Sequence, residues 1–363
     1  MKQVILLGIL FNLNTLAQDS LDAPYSDLIH PLEDTKNNLV KRNDVESVIK
    51  LQTPIKSQGS RGTCSIFSAT ALLESVLIRE GYKNYDLSEE WLEYLAMKGR
   101  IQDGSNSFNN ISLLKKYGTV QEKTWEYDPT NWSKTNSALA NERCGHLEEK
   151  EHKACLLGHR DHKLLTIPDS YLLNANSVYY DPEFSRIRKY AKRYKRLFFD
   201  TFFTRDSGFI STTSTVKNLL NKKIPVVMGV KFFYGAWNHA RAVNFGIGRS
   251  LEHYENGIVG YPEPDSVDYK ISSEADKSAG HSIVIVGYDD EYKVETQVKM
   301  KDGTTKTFTY KGVYFFKNSW GTESFGSNTI INGSRYPGYG IITQKYAHKY
   351  GSFFQLPIRY SEK

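Results

Sequence analysis

Two hydrophobic periods alternate along this chain, and the switches between them mark its elements. From Phe67 to Ile78 the residues Phe67, Ala71, Leu72, Ser75, Val76 and Leu77 recur mostly three or four apart, which predicts a helix that Gly81 stops. Ile283 to Val286 is short, β-branched and flanked by glycines, the pattern of a buried strand. Val313 to Phe316 reads as an aromatic strand, and residues 294–310 alternate around Asp302-Gly303 as a long hairpin. Glu183 to Asp200 places Phe184, Ile187, Ala191, Tyr194 and Leu197 or Phe198 on one helical face, with Arg186, Arg188, Lys189, Lys192, Arg193, Lys195 and Arg196 around it. Such a basic helix can bind anionic partners, but the ordinary outcome is packing on its own domain with the charges solvated.

The first residues form a different pattern. Met1-Lys2-Gln3 leads into an apolar run from Val4 to Leu16 that closes on Ala17, the arrangement of a secretory signal peptide over residues 1–17. That run is too short to span a bilayer, and no other approaches the roughly 20 apolar residues required, so no stable membrane insertion is expected. The expected location is secreted or periplasmic. With 363 residues, 39% of them hydrophobic, and 24 Tyr and 18 Phe, the chain can bury one large or two medium cores. The net charge of +6 is mild and spread out, which gives no argument for nucleic acid. A monomer is expected.

The chemistry begins at Gln58-Gly59-Ser60-Arg61-Gly62-Thr63-Cys64-Ser65-Ile66-Phe67-Ser68, a glycine-rich loop running into the first helix. A thiol at a helix start ionises more readily, because backbone N–H groups and the helix dipole favour its anion. A buried, inert cysteine is the alternative from this segment alone. Gln58 is close enough for its amide to aim at whatever the sulfur attacks. A base is offered by His281 in Gly280-His281-Ser282, at the leading end of the buried strand, and Asn318 in Lys317-Asn318-Ser319-Trp320-Gly321 can fix which imidazole nitrogen faces the sulfur. His239 competes for the role of base but lacks a following strand and an Asn-Ser-Trp partner.

Three motifs in this order resemble the papain-like cysteine peptidase family: Gln-Gly-x-x-Gly-x-Cys-x-x-Phe-Ser, Gly-His with an apolar strand and Gly-Tyr, and Lys-Asn-Ser-Trp-Gly. The resemblance implies an α+β, two-lobe fold, with a helical left lobe, a β-barrel-like right lobe and the active-site cleft between them. It implies Cys64 as nucleophile, His281 as general base and acid, Asn318 as its orienter, and Gln58 with the Cys64 N–H as oxyanion hole. Trp320 shields the His281 to Asn318 bond and borders the substrate site. Gly104 and Ser105 belong to the strip that pairs with substrate backbone, and Gly229 and Gly280 flank the pocket for the second residue before the scissile bond. No cofactor and no metal are required. The implied activity is peptide-bond hydrolysis through a thioester, endopeptidase rather than exopeptidase. Acyl transfer at the same site and a non-catalytic binding protein on this fold are the alternatives.

The departures are equally informative. Arg61 stands where the family has a half-cystine, and Ser65 where it has a cleft aromatic. His281 and Asn318 lie further from Cys64 than the family's usual spacing of about 130–150 residues, which requires insertions. The expected organisation is an arm or short pro-segment over 18–39, a peptidase domain over 40–350 and a C-terminal tail over 351–363. The domain is interrupted at 129–208 and by a hairpin at 291–311. The arm leaves no room for a long inhibitory propeptide, so restraint is expected from elsewhere, the 129–208 insertion being the candidate. In an exported protein Cys144 and Cys155 in that insertion are expected to form a local disulfide, leaving Cys64 as the odd thiol, with two free thiols as one alternative. A metal site among Cys144, His146, His152, Cys155, His159 and His162 is the other, but the spacing matches no familiar zinc pattern. Asn110, Asn131 and Asn332 fit the glycosylation pattern.

Overall fold

The computed structural model describes residues 30–35, 40–82, 85–135, 137–204 and 208–360. The leader over 1–17 and most of the 18–39 arm lie outside them. The arm's described part, 30–35, runs beside the β lobe, where Leu32 N donates to His348 O at 3.1 Å.

The helical lobe is built from α1 (Val45–Ile49), α2 (Cys64–Arg79), α3 (Glu89–Ala96) and α4 (Ser107–Tyr117). Ser88 caps α3 by accepting from Trp91 N at 3.1 Å, and Asn106 caps α4 through Asn109 N at 2.9 Å, each satisfying an orphan donor. Gly118 ends α4 at φ +79°, and a Cβ there would sit 2.4 Å from Ala191 O, so only glycine fits. All of α2 except Ile78 is buried, because the sheet covers the side that α3 and α4 leave open.

Residues 129–208, the expected insertion, hold α5 (Ala138–Cys144), α6 (Glu149–Gly158), α7 (Asp169–Leu172) and α8 (Pro182–Tyr194). Phe184, Ile187 and Ala191 of α8 pack on Trp91, Tyr94 and Leu95 of α3, and Arg186, Lys189, Lys192 and Arg193 are exposed; Arg188, expected among the solvated charges, is instead buried, donating to Leu164 O at 3.0 Å and pairing with Asp169. This is the ordinary packing expected of such a helix. A π-turn over Lys195–Phe199 then shifts the phase, so Phe198 is buried and Leu197 is exposed. Asn110 is completely buried, which rules out its glycosylation in the folded chain.

The β lobe carries β1 (Phe209–Ile210), β2 (Val226–Phe232), β3 (Ile258–Val259), β4 (Ala279–Lys299) and β5 (Thr305–Lys317). A small hairpin of β6 (Ile330–Ile331) and β7 (Ser334–Arg335) stands apart, followed by β8 (Tyr339–Thr343) and β9 (Gly351–Phe354). The main sheet is open, in the order β1-β9-β2-β4-β5-β8-β3, and does not close into a barrel. The alternating stretch around Asp302-Gly303 is the far end of the antiparallel β4–β5 pair. Residues 351–354 pair between β1 and β2.

Strand parity assigns the faces. Val227 of β2 and Val284 of β4, paired in register, join Ile66, Ala69, Leu73 and Val76 of α2 in one core. Their neighbours Met228, Ile283 and Ile285 join a second, aromatic core with Phe232, Trp237 and Phe316. The sheet is thus apolar on both faces, each buried large side chain contributing about 1.5–3 kcal/mol.

Candidate active site

Cys64 is the first residue of α2 and is fully buried. Thr63 precedes it as N-cap but makes no side-chain cap; its hydroxyl bonds Tyr127 Oη at 2.9 Å, and Tyr127 Oη in turn donates to Gln58 O at 3.0 Å. One turn along, Ser68 Oγ meets Ser282 Oγ at 2.7 Å. Ser282 follows His281 on β4, so this bond ties the cysteine helix to the histidine strand next to both residues.

His281 is the third residue of β4. Its Nε2 donates to Asn318 Oδ1 at 2.8 Å, and Ser319 N donates to the same oxygen at 2.9 Å, which fixes the amide's orientation. An N–H at Nε2 leaves Nδ1 with its lone pair, and that atom is buried with no hydrogen-bond partner among the described residues. Trp320 stacks on the imidazole at 4.5 Å, and Trp237 meets it edge-on at 5.1 Å. Burial lowers the imidazole to about 3, against the Asn318 bond, which raises it. The ring is therefore neutral in the resting site. His239 itself accepts from Arg241 N at 3.1 Å through Nδ1.

Gln58 is held from both lobes. Its Oε1 accepts from Ser319 Oγ at 2.6 Å, its Nε2 donates to Arg61 O at 2.8 Å, and its N donates to Ser319 O at 2.9 Å. The structure thus brings Gln58, His281, Asn318 and Trp320 together through Ser319, whose role the motif did not reveal.

Where the family has a disulfide, a buried ion pair stands. Arg61 is completely buried; Nε and Nη2 reach Asp103 Oδ2 and Oδ1 at 2.9 and 2.8 Å, and Nη2 also bonds Glu93. The insertion supplies Leu157 O to Nη2 at 2.8 Å and the His159 ring to Nη1 at 3.2 Å. Asp103 precedes Gly104, so the guanidinium joins the loop before Cys64 to the expected substrate strip. The fork geometry makes this a directional staple.

The expected substrate residues are placed unevenly. Gly104 is buried at φ +120°, and Ser105 Oγ is turned to Asn110 Oδ1 at 2.6 Å. Gly229 pairs with Ser282, and Gly280 with Lys231, on the sheet face turned to α2; a Cβ on Gly229 would meet no atom within 4 Å. Beneath the site Lys317, next to Asn318, donates to Thr53 O at 2.8 Å. Burial lowers its ammonium to about 8, against Glu74 and Glu89.

Cys144 and Cys155 are joined in a disulfide with Cα atoms 5.7 Å apart. Among the described residues no group of three His, Cys, Asp or Glu is arranged to hold a metal ion. His159 is instead engaged with Glu90 at 2.7 Å, and His162 with Tyr94 O at 2.6 Å. No described helix is long and apolar enough to cross a membrane.

The open sheet facing a buried cysteine helix is the papain-like fold, as the sequence motifs led us to expect. The solved structure of xylellain, a cysteine protease from Xylella fastidiosa, matches with a TM-score of 0.50 at 16% identity, over 93% of this chain and 96% of that one. The cysteine protease and lectin-like domains of Cwp84 from Clostridium difficile match at TM-score 0.47 and 17% identity, over 96% of this chain and 58% of that one. Procathepsin L2 from the larval midgut of Tenebrio molitor matches at TM-score 0.46 and 15% identity, over 93% and 78%. The model of the Peptidase_C39 like family matches residues 184–328, a stretch that holds His281 and Asn318 but not Cys64. No curated protein matches the sequence significantly. At 16% identity the match to xylellain shows the fold, which this chain shares.

Proposed function

We propose that the protein is an exported cysteine endopeptidase with Cys64 as nucleophile and His281 as general base and acid. The observation that carries this reading is the polarity of His281: Nε2 is committed to Asn318, and Nδ1 is buried with no hydrogen-bond partner among the described residues. A neutral imidazole held this way can take a proton from a thiol. The Cys64 S–H proton passes to Nδ1 as sulfur bonds the peptide carbonyl carbon. The resulting oxyanion is met by Gln58 Nε2 and the Cys64 N–H. The C–N bond then breaks, the amine leaves with the proton from His281, and water hydrolyses the thioester with His281 again as base. Gly229 and Gly280 border a roomy second pocket, Gly104 and Ser105 the backbone strip, and Trp320 shields the His281 to Asn318 bond.

Export to a secreted or periplasmic site is supported by the leader pattern and by the Cys144–Cys155 disulfide. The insertion over 129–208 acts on the Cys64 loop through Arg61, so its removal is expected to weaken that loop rather than simply release activity. The test is labelling of the intact protein by an electrophilic thiol reagent, with peptide cleavage measured in parallel. Labelling and cleavage are expected to vanish in Cys64→Ala and to fall at least tenfold in His281→Ala. Labelling that survives in Cys64→Ala, or a wild-type protein that neither labels nor cleaves, sinks the reading. Peptide coupled to an added amine, with no hydrolysis, identifies an acyl transferase instead.

A further inference from the structure

Ala236 and Asn238, on either side of Trp237, line a cavity of about 520 Å³ that the proposed peptide chemistry does not use. Its remaining walls come from the Ile247–Ser250 loop and the outer part of the β4–β5 hairpin, including Thr296 and Lys299. The volume is that of a small-molecule site.

Its polar groups are unevenly satisfied. The Asp268 carboxylate at its wall is used internally, accepting from Ala236 N at 2.8 Å and from Ser272 Oγ at 3.0 Å. Arg249 Nε is buried and finds no hydrogen-bond partner among the described residues; Thr296 lies against the Tyr310 hydroxyl, which also donates to Glu263 at 3.0 Å. The Arg249 guanidinium lies over the Tyr254 ring at 4.6 Å, which holds its plane. Lys299 is at the rim, donating to Gly246 O at 2.9 Å. A buried donor left unmet is costly, and a planar guanidinium donor is best met by an oxyanion. Glu252 and Glu295 are exposed at the edges of the same cavity and oppose a multiply charged ligand.

We propose that this cavity is a second binding site, taking a small polar molecule with a single oxyanion group that Arg249 contacts. The shared chemistry is a monoanionic carboxylate or phosphate ester on a neutral polar body. The site stands on residues outside the peptidase reading, so its test is separable from that reading.

The experiment is calorimetric titration of the full chain carrying Cys64→Ala with N-acetylserine, N-acetylserine amide and dimethyl phosphate. At least one anion is expected to bind with a Kd of about 1 mM or tighter, and at least tenfold more tightly than the amide. Arg249→Met is expected to weaken that binding at least tenfold. Gly248→Leu adds bulk where a Cβ meets no atom within 4 Å and is expected to block it without removing a polar contact. Binding of N-acetylserine alone identifies a carboxylate site, of dimethyl phosphate alone a phosphate-ester site, and of both a general oxyanion site; each supports the proposal. Equal binding of acid and amide, no binding of any probe at about 10 mM, or unchanged affinity in folded Arg249→Met overturns it. If Arg249→Met fails to fold, Gly248→Leu decides alone, and unchanged affinity there overturns the proposal.

Discussion

Around Cys64 the chain is held by charge; around His281 it is held by rings. The loop before Cys64 is fixed by a fully buried Arg61 shared among Asp103, Glu93 and a carbonyl of the insertion. His281 instead sits among Trp237, Trp320 and Phe232, with Phe325 stacked behind on Phe316. The difference is one of directionality. An ion-pair fork fixes both distance and angle but leaves costly orphans when one member is lost, whereas packed rings lose stability in proportion to the volume removed. A divergent chain can therefore replace a disulfide with charge at one side of a cleft and keep an aromatic wall at the other, provided something couples the two. Ser319 is that coupling: it holds Gln58 on one side and Asn318 on the other.

The strongest way to break the comparison is Arg61→Met, which leaves Glu93 buried without its counter-charge. We expect a loss of about 3–5 kcal/mol in urea unfolding, together with loss of Cys64 labelling; a loss below about 1 kcal/mol would show that the staple is not the guanidinium. Trp237→Leu should cost about 2–3 kcal/mol through the cavity it opens, with labelling reduced but present. A larger loss than for Arg61→Met would reverse the ranking of the two sides. Ser319→Ala leaves Gln58 Oε1 without this donor, and we expect about 1–3 kcal/mol and a fall in kcat with KM nearly unchanged, read by steady-state cleavage.

Taken for one histidine and one unit of pH, the smallest effect is protonation. Burial lowers His281 to about 3, and His162 and His348 to about 4. Their unfolded forms titrate near 6.5, so below that pH the unfolded chain binds more protons than the folded one. Stability from these groups is complete above about pH 6.5 and is lost as the pH falls toward 4, at up to about 1.4 kcal/mol per pH unit per histidine. His162→Gln in the insertion should flatten the slope of urea-unfolding stability against pH. No change in slope would place the acid sensitivity on the β lobe.

Much of the site was legible because its chemistry is written in short local motifs. Cys64 at a helix start, His281 at the head of a buried strand and Asn318 at the end of another each follow from neighbours within a few residues. The hairpin around Asp302-Gly303 was legible for the same reason, since alternation and turn chemistry are both local. Arg61 was readable as a missing half-cystine, but its partners were not, because Asp103 and Leu157 lie far along the chain and nothing in their local sequence announces them. Ser319 stood inside a quoted motif without its role being visible. The π-turn at Lys195–Phe199 escaped because an extra residue in one turn leaves no mark in the hydrophobic pattern, yet it decides that Phe198 is buried and Leu197 exposed. The β lobe is there as expected; what the pattern left open is its strand order, with residues 351–354 paired between β1 and β2. Such pairing is set by contacts across more than a hundred residues.

By itself, then, the sequence determined which residue types stand at the start of α2, on β4 and after β5, because helix period, strand period and glycine placement act over single turns. Only the tertiary structure decided which polar atoms are paired. It gave Arg61 its carboxylates, gave Asn318 Oδ1 two donors, and left His281 Nδ1 and Arg249 Nε buried without hydrogen-bond partners among the described residues. Hydrogen bonding and desolvation depend on every group brought to a point, and that set exists only once distant segments have folded together.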